Sequence, residues 1–361
     1  MNRDEIIYQS VALYAGPTPA TGDQTDIKQL HRVDTFNSNF DIPSEDVLQF
    51  GQLRAFTREV NDSPTPTFSF EYYLTNGINE KRLGFNIDGA TSMISDILTK
   101  VEDEKNYFAL FVPEGNDAVG FTDRSEHVVE ALGNGFITNI EFSVNVGEFA
   151  RGSVDIEGDN YVIHVGSSGN PTPALDPTDG SKIEGITYVL PLPDSGESGM
   201  PKVIKYGDVE LNLSDAEDLM GATLDGDGKA HIQGFTLSVP LDREPLNRLG
   251  NKFSYSRKIN FPIEANLNIE AIVSEMNTGN LFDIIDGCSQ KEYDFDITAK
   301  ACVNGDKEEV MNFLVRGAVL QSQDFSLSVG DRRTVSIPFT ISIGGPQDTK
   351  GIFLSGSHIG S

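Results

Sequence analysis

Residues Phe36–Glu71 read FNSNFDIPSEDVLQFGQLRAFTREVNDSPTPTFSFE, and residues Phe235–Glu270 read FTLSVPLDREPLNRLGNKFSYSRKINFPIEANLNIE. The two stretches align without a gap at a constant offset of 199 positions (235 − 36 = 199). The identical pairs are Phe36/Phe235, Glu45/Glu244, Gly51/Gly250, Arg58/Arg257, Asn61/Asn260 and Glu71/Glu270. Apolar residues recur at spacing two in both stretches, which is typical of strands that bury one face. The alignment therefore predicts the same strand–loop–strand unit twice.

A second pair of similar stretches closes each repeat. Phe142–Glu148 reads FSVNVGE and Phe325–Asp331 reads FSLSVGD, at an offset of 183, and an alternating run follows each of them. A small slip in the alignment places Val154 opposite Val335. Because glycine supplies the positive φ that many tight turns need, each stretch is predicted to form a hairpin.

The repeats predict two tandem domains, at 1–165 and 200–345, followed by a C-terminal tail at 346–361. Residues 166–199 are predicted to be a linker or exposed loop, since VGSSGNPTPALDPTDGSKIEG is rich in Gly, Ser, Pro and Asp.

One helix is predicted in each domain. Ala90–Glu104 reads ATSMISDILTKVEDE, with Thr91 or Ser92 as the cap. One face of this helix would carry Met93, Ile94, Ile97, Leu98 and Val101. The shorter Leu281–Cys288 occupies the comparable place in the second copy. Each domain is therefore predicted to be a β-sandwich with one packed α-helix.

The charge of the chain is strongly acidic. There are 55 acidic and 27 basic residues, and the net charge is -28. Such a chain gains little affinity by neutralising phosphates, so a conventional nucleic-acid-binding protein is excluded. Solubility and a surface that lets DNA pass without holding it are both compatible with this charge. No apolar stretch approaches the roughly 18 residues that span a bilayer, so no membrane insertion is expected.

No motif for catalysis or for metal binding is recognisable in the sequence. The Walker A, zincin, CxxC and nucleophile-elbow patterns are missing, and the five histidines are scattered. LDGDGKA, at Leu224–Ala230, begins like a calcium loop, but Thr236 stands where an EF-hand needs an acid. We therefore predict that the chain is not an enzyme and has no catalytic, cofactor or metal site.

The arginines Arg58 and Arg257 occupy equivalent positions in the two repeats. Two interpretations are open at this point. They could pair with acids across a joint between subunits, or they could lie on exposed strand faces.

The edge strands of such sheets have unpaired backbone N–H and C=O groups. Closing a ring of units into a continuous barrel is one way to pair these groups. His231–Leu267 (HIQGFTLSVPLDREPLNRLGNKFSYSRKINFPIEANL), Asn139–Ile156 (NIEFSVNVGEFARGSVDI) and Tyr206–Leu213 (YGDVELNL) resemble the tail-tube (major tail) proteins of long-tailed bacteriophages. The version with two tandem tube domains in one chain is the most similar. The resemblance covers about 30–160 and 200–345.

This resemblance implies a structural protein of the virion tail, made in the cytoplasm of the bacterial host. Three chains would form a pseudo-sixfold ring, and rings would stack into a hollow tube that conducts viral DNA without tight binding. Its partners would be further copies of itself, the tape-measure and tail-terminator proteins, and the baseplate or tail-tip proteins. Ser44–Glu59 and Glu244–Lys258 would belong to arms that contact an adjoining subunit or ring. The assembly residues implied there are Glu45, Phe50, Gly51, Arg58, Glu244, Leu249, Gly250 and Arg257.

Three alternatives remain from the residues alone. A receptor-binding or adhesive tail protein would have recognition loops that differ between the copies. A tail-completion or hub protein with the tube fold would cap rings instead of stacking. An acidic glycan hydrolase would need two carboxyls about 5–10 Å apart in a cleft, and no sequence feature indicates such a cleft.

Overall fold

A computed structural model of the chain describes residues 11–18, 26–113, 115–165, 170–183, 186–196, 202–213, 230–273, 292–303, 306–321, 324–326 and 334–357. These ranges are mainly antiparallel β-structure, as predicted.

The described residues of the first half contain ten strands. They are β1 (Val11–Pro17), β2 (Lys28–Leu30), β3 (Val33–Asp41), β4 (Ser44–Val47), β5 (Thr57–Val60), β6 (Thr65–Tyr73), β7 (Lys105–Phe111), β8 (Val128–Asn145), β9 (Arg151–Glu157) and β10 (Asn160–Val165). Two short helices, α1 (Ile78–Leu83) and α2 (Ser95–Leu98), lie between β6 and β7. A 3-10 turn at Arg124–Glu126 precedes β8.

The rest of the described chain forms two short connecting strands and a second group of strands. The connecting strands are β11 (Asn170–Pro171) and β12 (Thr187–Tyr188), and a 3-10 turn follows at Tyr206–Asp208. The second group comprises β13 (Val209–Leu213), β14 (Ala230–Pro240), β15 (Arg243–Leu246), β16 (Ser256–Ile259), β17 (Ile263–Val273), β18 (Glu292–Val303), β19 (Asp306–Leu320), β20 (Asp324–Ser326), β21 (Thr334–Ile343) and β22 (Gly351–Gly356).

The long strand β8 organises the first half. Its N-terminal part pairs with β7 and β10, and its C-terminal part pairs with β9. Strand β1 pairs with β7, while β6 pairs with β9 and β3. The first half is thus two sheets that share β8.

The second half contains the same pairings in the same order. Strand β13 pairs with β18, β18 with β19, and β19 with β22. Strand β20 pairs with β21, β21 with β17, and β17 with β14. Strands β19 and β20 together take the place that β8 holds in the first half.

The register of the repeated hairpins follows the offset of 199. Phe36 faces Phe70 across β3 and β6, and Phe235 faces Ile269 across β14 and β17. The β-bulge repeats as well, between Val33 and Thr35 and between Ile232 and Gly234. The short hairpins β4–β5 and β15–β16 also begin and end 199 positions apart. The sequence alignment thus describes equivalent backbone.

The closing hairpins differ from the sequence alignment in one detail. Ser143 pairs with Arg151 in the first half, and Ser326 pairs with Thr334 in the second. Both pairs agree with an uninterrupted offset of 183, so the predicted slip after the turn is wrong. The turn of the first hairpin contains Gly147 at φ 95, and residues 327–333 lie outside the described chain. The alternative alignment matched Val154 with Val335 because both are apolar, but Ile337 is the true counterpart of Val154.

The predicted helix at 90–104 is also wrong in extent, because α2 is a single turn. Asp88 accepts hydrogen bonds from the amides of Ala90 and Thr91 and holds a turn there. The amide of Met93 donates to the carbonyl of Ile352 at 2.9 Å instead of joining a helix. Tertiary hydrogen bonds thus replace the helical ones, although the predicted apolar face is largely buried, with only Val101 exposed. Helix α1 was not predicted, and Leu281–Cys288 lies outside the described residues.

The segment predicted to be a linker or exposed loop is partly packed on the first half. Tyr188 is buried, its ring centroid lies 5.3 Å from that of Phe108, and its hydroxyl donates to the carbonyl of Pro17. The side chain of Asn134 holds both the amide and the carbonyl of Leu175. Residues 172–175 and 186–190 therefore help to cover the outer face of the sheet formed by β1, β7 and β8.

Candidate assembly interface

One continuous sheet joins the two halves of the chain. Strand β14 pairs with the C-terminal part of β8, from Gly234 opposite Asn145 to Pro240 opposite Asn139. The result is an open sheet of sixteen strands, which is not closed into a barrel within the described chain. The core continues across this junction, since the rings of Phe142 and Phe313 have centroids 4.9 Å apart. The two halves are therefore packed together as well as hydrogen-bonded.

Two strand edges equivalent to this junction are unpaired among the residues that the structure describes. Strand β3, the counterpart of β14, pairs with β6 alone among the described strands. Strand β20, the counterpart of the C-terminal part of β8, pairs with β21 alone in the same ranges. Each half of the chain thus has one free strand edge, and the two edges are equivalent to the two strands that pair in the junction of β8 and β14.

The second arm (residues 241–260) docks on the first half through a buried arginine. Arg257 donates to Asp159 at 2.9 and 3.2 Å, to Glu157 at 2.9 Å and to the carbonyl of Gly158 at 3.2 Å. The hydroxyl of Ser254 donates to the same oxygen of Asp159 at 3.0 Å. Because the arginine is buried, these charge-assisted bonds compensate for its lost hydration.

A second buried arginine fixes the base of the same arm. Arg243 donates to Asp103 at 2.6 Å and to the carbonyl of Ile137 at 3.1 Å. Both charged side chains of this pair are almost fully buried. The amide of Leu241 donates to the carbonyl of Thr138, which continues the backbone contact next to the arginine.

The acids that receive the second arm form an acidic patch, defined here as Asp103, Glu104, Glu157 and Asp159. Burial raises the pKa of Asp159, and the nearby Arg257 and Ser254 act in the opposite direction. Burial also raises the pKa of Glu104, which accepts a hydrogen bond from Asn134 at 2.6 Å. At Asp159, Arg257 thus offsets part of the cost of burying a carboxylate.

The first arm (residues 42–61) is exposed instead of docked. Arg58 lies on its surface and pairs with Asp46 at 3.3 Å, across the β4–β5 hairpin. The exposed large apolar residues of this arm are Ile42, Val47, Leu48, Phe50, Leu53, Phe56 and Val60. Among the described residues, nothing covers this surface.

The tips of both arms have the same form. Phe50 and Leu249 each have a relative exposure of 104%, and each is followed by a glycine at positive φ, 88° for Gly51 and 94° for Gly250. Glu45 and Glu244 lie on the exposed sides of their hairpins. The predicted assembly residues thus fall on two equivalent arms, but the two arginines differ in environment.

Arg58 lies on an exposed strand face, as one of the two interpretations had it. Arg257 pairs with acids of its own chain, across the joint between its two halves and not across a joint between subunits. Sequence reasoning missed Arg243, Asp103, Glu157 and Asp159. The pair of Arg243 and Asp103 leaves no signal in the alignment, because the position equivalent to Arg243 is Ser44.

Two other features of the described residues bear on function. They contain no group of three or more His, Cys, Asp or Glu side chains that could hold a metal ion. Within the same ranges, no helix is long and apolar enough to cross a bilayer. Most of the LDGDGKA stretch lies outside the described residues.

Comparisons with known proteins found a structural similarity. No protein-family model matches the chain, and no curated protein matches it. A structure of the SPP1 tail tube, obtained from solid-state NMR and cryo-EM, is similar at a TM-score of 0.31 and 14% sequence identity. This similarity covers 45% of this chain and 81% of that chain.

Proposed function

We propose that this chain is a structural protein of a bacteriophage tail tube, whose copies close into rings that stack into a hollow tube. The junction between β8 and β14 carries the proposal, because it joins two sets of the same pairings edge to edge. An unused edge at each end of such a sheet can be covered by another copy. Repetition of a head-to-tail contact closes into a ring when the rotation allows it.

The two sets of pairings are the two tandem tube domains of this proposal, with boundaries near 1–165 and 200–345. Three chains would then supply six similar units to one ring, and their sheets would form a continuous barrel. The resemblance of His231–Leu267 and Asn139–Ile156 to tail-tube proteins supports the same assembly.

The charge of the chain suits a conduit for DNA. A wall of carboxylates repels phosphates at short range, and physiological salt screens this repulsion over about 8 Å. A basic wall would hold DNA by releasing counterions. A net charge of -28 therefore favours passage over binding. Lysine substitutions of acids that face the lumen should slow DNA ejection from reconstituted particles.

The exposed arms are the proposed contacts with neighbouring copies. Phe50 and Leu249 project from the arm tips into solvent. Clusters of apolar side chains on a solvent-exposed surface often mark an interaction site. The tape-measure, tail-terminator and baseplate or tail-tip proteins would meet the tube at its ends and in its lumen. No catalytic step is part of this proposal.

Negative-stain microscopy of the purified full chain tests the proposal. Tubes of uniform diameter with a central hole are the expected result, over a range of salt and protein concentrations. Single rings that never stack would favour a tail-completion or hub protein. Dispersed globules under all conditions would contradict a tube protein and would favour a receptor-binding or adhesive one.

A further inference from the structure

Three exposed apolar residues of the first half have buried counterparts in the second. Phe40, Ile42 and Val60 have relative exposures of 53%, 50% and 61%. Their counterparts 199 positions later, Val239, Leu241 and Ile259, have exposures of 0%, 0% and 7%. The hairpins share their pairing register, so the difference comes from their neighbours. The first half lies against β14 and the second arm, whereas β3 and the first arm have no such neighbour among the described residues.

We propose that the second half of another copy of this chain covers Phe40, Ile42 and Val60. It would lie against β3 in the way that the first half lies against β14 within one chain. This inference rests on the proposed ring and names its joint. In the junction inside the chain, Glu141, Phe142 and Ser143 face Ser238, Leu237 and Thr236. Adding 183 to the positions in β8 and subtracting 199 from the positions in β14 gives the equivalent pairs between copies. Asp324, Phe325 and Ser326 of one copy then lie opposite Asn39, Ser38 and Asn37 of the next.

The charges of the two arms fit two different receiving surfaces. Arg58 faces Asp46 within the first arm, whereas Arg257 faces Pro245 at the equivalent place in the second arm. Only Arg257 therefore needs acids from outside its own arm, and Glu157 and Asp159 supply them.

The receiving positions of the second half lack those acids. The β6–β9 and β17–β21 registers make Thr340 the counterpart of Glu157, and the same offset of 183 makes Ser342 the counterpart of Asp159. These hydroxyl side chains suit an arm whose arginine already has its carboxylate, although Glu264 lies opposite Ser342 across β17 and β21. The first arm does not need the carboxylates of Glu157 and Asp159, and this difference suits it to the second half.

The opposite assignment is blocked. The first arm cannot dock on the first half of another copy, because the second arm of that copy already occupies the place, with Arg243 on Asp103 and Arg257 on Asp159. Contacts between copies therefore join a first half to a second half, and the two kinds of half alternate around the ring.

Charge placed in the joint tests the inference on the assembled protein. Ile42→Asp and Val60→Asp should weaken the association of copies on the order of a hundredfold or more, because each removes an apolar side chain from the joint and buries a carboxylate. Val165→Asp is the matched control, since Val165 is as exposed as Val60 but has no place in the joint. Sedimentation velocity measures the association, and circular dichroism with thermal unfolding checks that each variant is folded.

Disulfide trapping tests the register in the folded, assembling chain. In a Cys288→Ser, Cys302→Ser background, Asn39→Cys with Asp324→Cys should link neighbouring copies under mild oxidation. Asn39→Cys with Ser326→Cys is two residues out of register and should link them far less.

The outcomes separate this inference from the tube itself. Monomeric, folded Ile42→Asp and Val60→Asp, together with selective cross-linking in register, support the joint. Tubes from both variants at parental concentrations, or equal cross-linking in and out of register, overturn the joint and leave the tube proposal in place. A parent chain that never assembles removes both.

Discussion

The guanidinium of Arg257 lies 2.9 Å from the carboxylate of Asp159, although 98 residues separate them in the chain. This buried ion pair ties the second arm to the end of the first half, next to the junction of β8 and β14. The equivalent residue Arg58 lies on the surface of the first arm. The two aligned arginines thus differ in one respect: only Arg257 is buried in a contact between the two halves of the chain.

Replacing each of these arginines by alanine should give very different losses of stability. Arg257→Ala leaves Asp159 buried without its cation, and we expect a loss of about 3–5 kcal/mol in the free energy of unfolding. Arg58→Ala breaks an exposed pair and should cost less than about 1 kcal/mol. Equilibrium denaturation in urea measures both values. Equal losses for the two variants would show that the second arm is not held by this ion pair.

The pair formed by Arg243 and Asp103 should behave as a coupled unit. We expect Arg243→Met and Asp103→Leu each to cost about 3–5 kcal/mol, because each leaves the other charge buried and unpaired. The double variant should recover much of this loss, since apolar residues of similar size can replace a buried ion pair. A double-mutant cycle by denaturation gives the coupling energy. Strictly additive losses would contradict direct pairing of the two side chains.

The repeated strands could be predicted from the sequence because their pattern is local. Apolar alternation reports the buried face of β6 in Phe36–Glu71 and of β14 and β17 in Phe235–Glu270, whereas β3 has the same pattern but lies largely exposed. Two glycines at the arm tips, Gly51 and Gly250, repeat because each adopts a positive φ that other residues rarely adopt.

The anchor formed by Arg243 and Asp103 could not be predicted, because it does not repeat. Arg243 has Ser44 as its counterpart, and its partner Asp103 lies 140 residues away in the chain. Long-range hydrogen bonds also decided the extent of α2, where Met93 bonds to the carbonyl of Ile352. Local helical periodicity contains no information about such partners.

The packing of residues 172–175 can be tested at Gly133. A Cβ atom at this position would lie 2.2 Å from the carbonyl oxygen of Pro173, which belongs to the backbone and cannot turn away as a side chain could. Gly133→Ala should therefore lower the free energy of unfolding by about 1–3 kcal/mol. Gly207→Ala is the control, because open space surrounds a Cβ there. Protection of residues 172–175 from hydrogen exchange should fall in the first variant only. An unchanged Gly133→Ala would mean that the segment does not lie on the sheet.

The buried acid Glu80 should make stability depend on pH. Tyr72 donates a hydrogen bond to its carboxyl at 2.7 Å, and burial raises the pKa of Glu80 above its usual value of 4.5. The folded chain therefore keeps this proton at pH values where the unfolded chain has lost it, so this contribution to stability falls as pH rises through 4.5 toward the folded pKa. Glu80→Gln cannot ionise and should remove that fall.

The sign of the effect distinguishes this origin from other pH effects. The free energy of unfolding of Glu80→Gln, minus that of the parent, should grow from pH 4 to pH 7, as measured by urea denaturation at each pH. Tyr72→Phe removes the donor that favours the ionised carboxylate, so the decline with pH should extend to higher values in that variant. A difference that stays constant across this range would mean that Glu80 titrates alike in the folded and unfolded chain, and that its burial does not govern its ionisation.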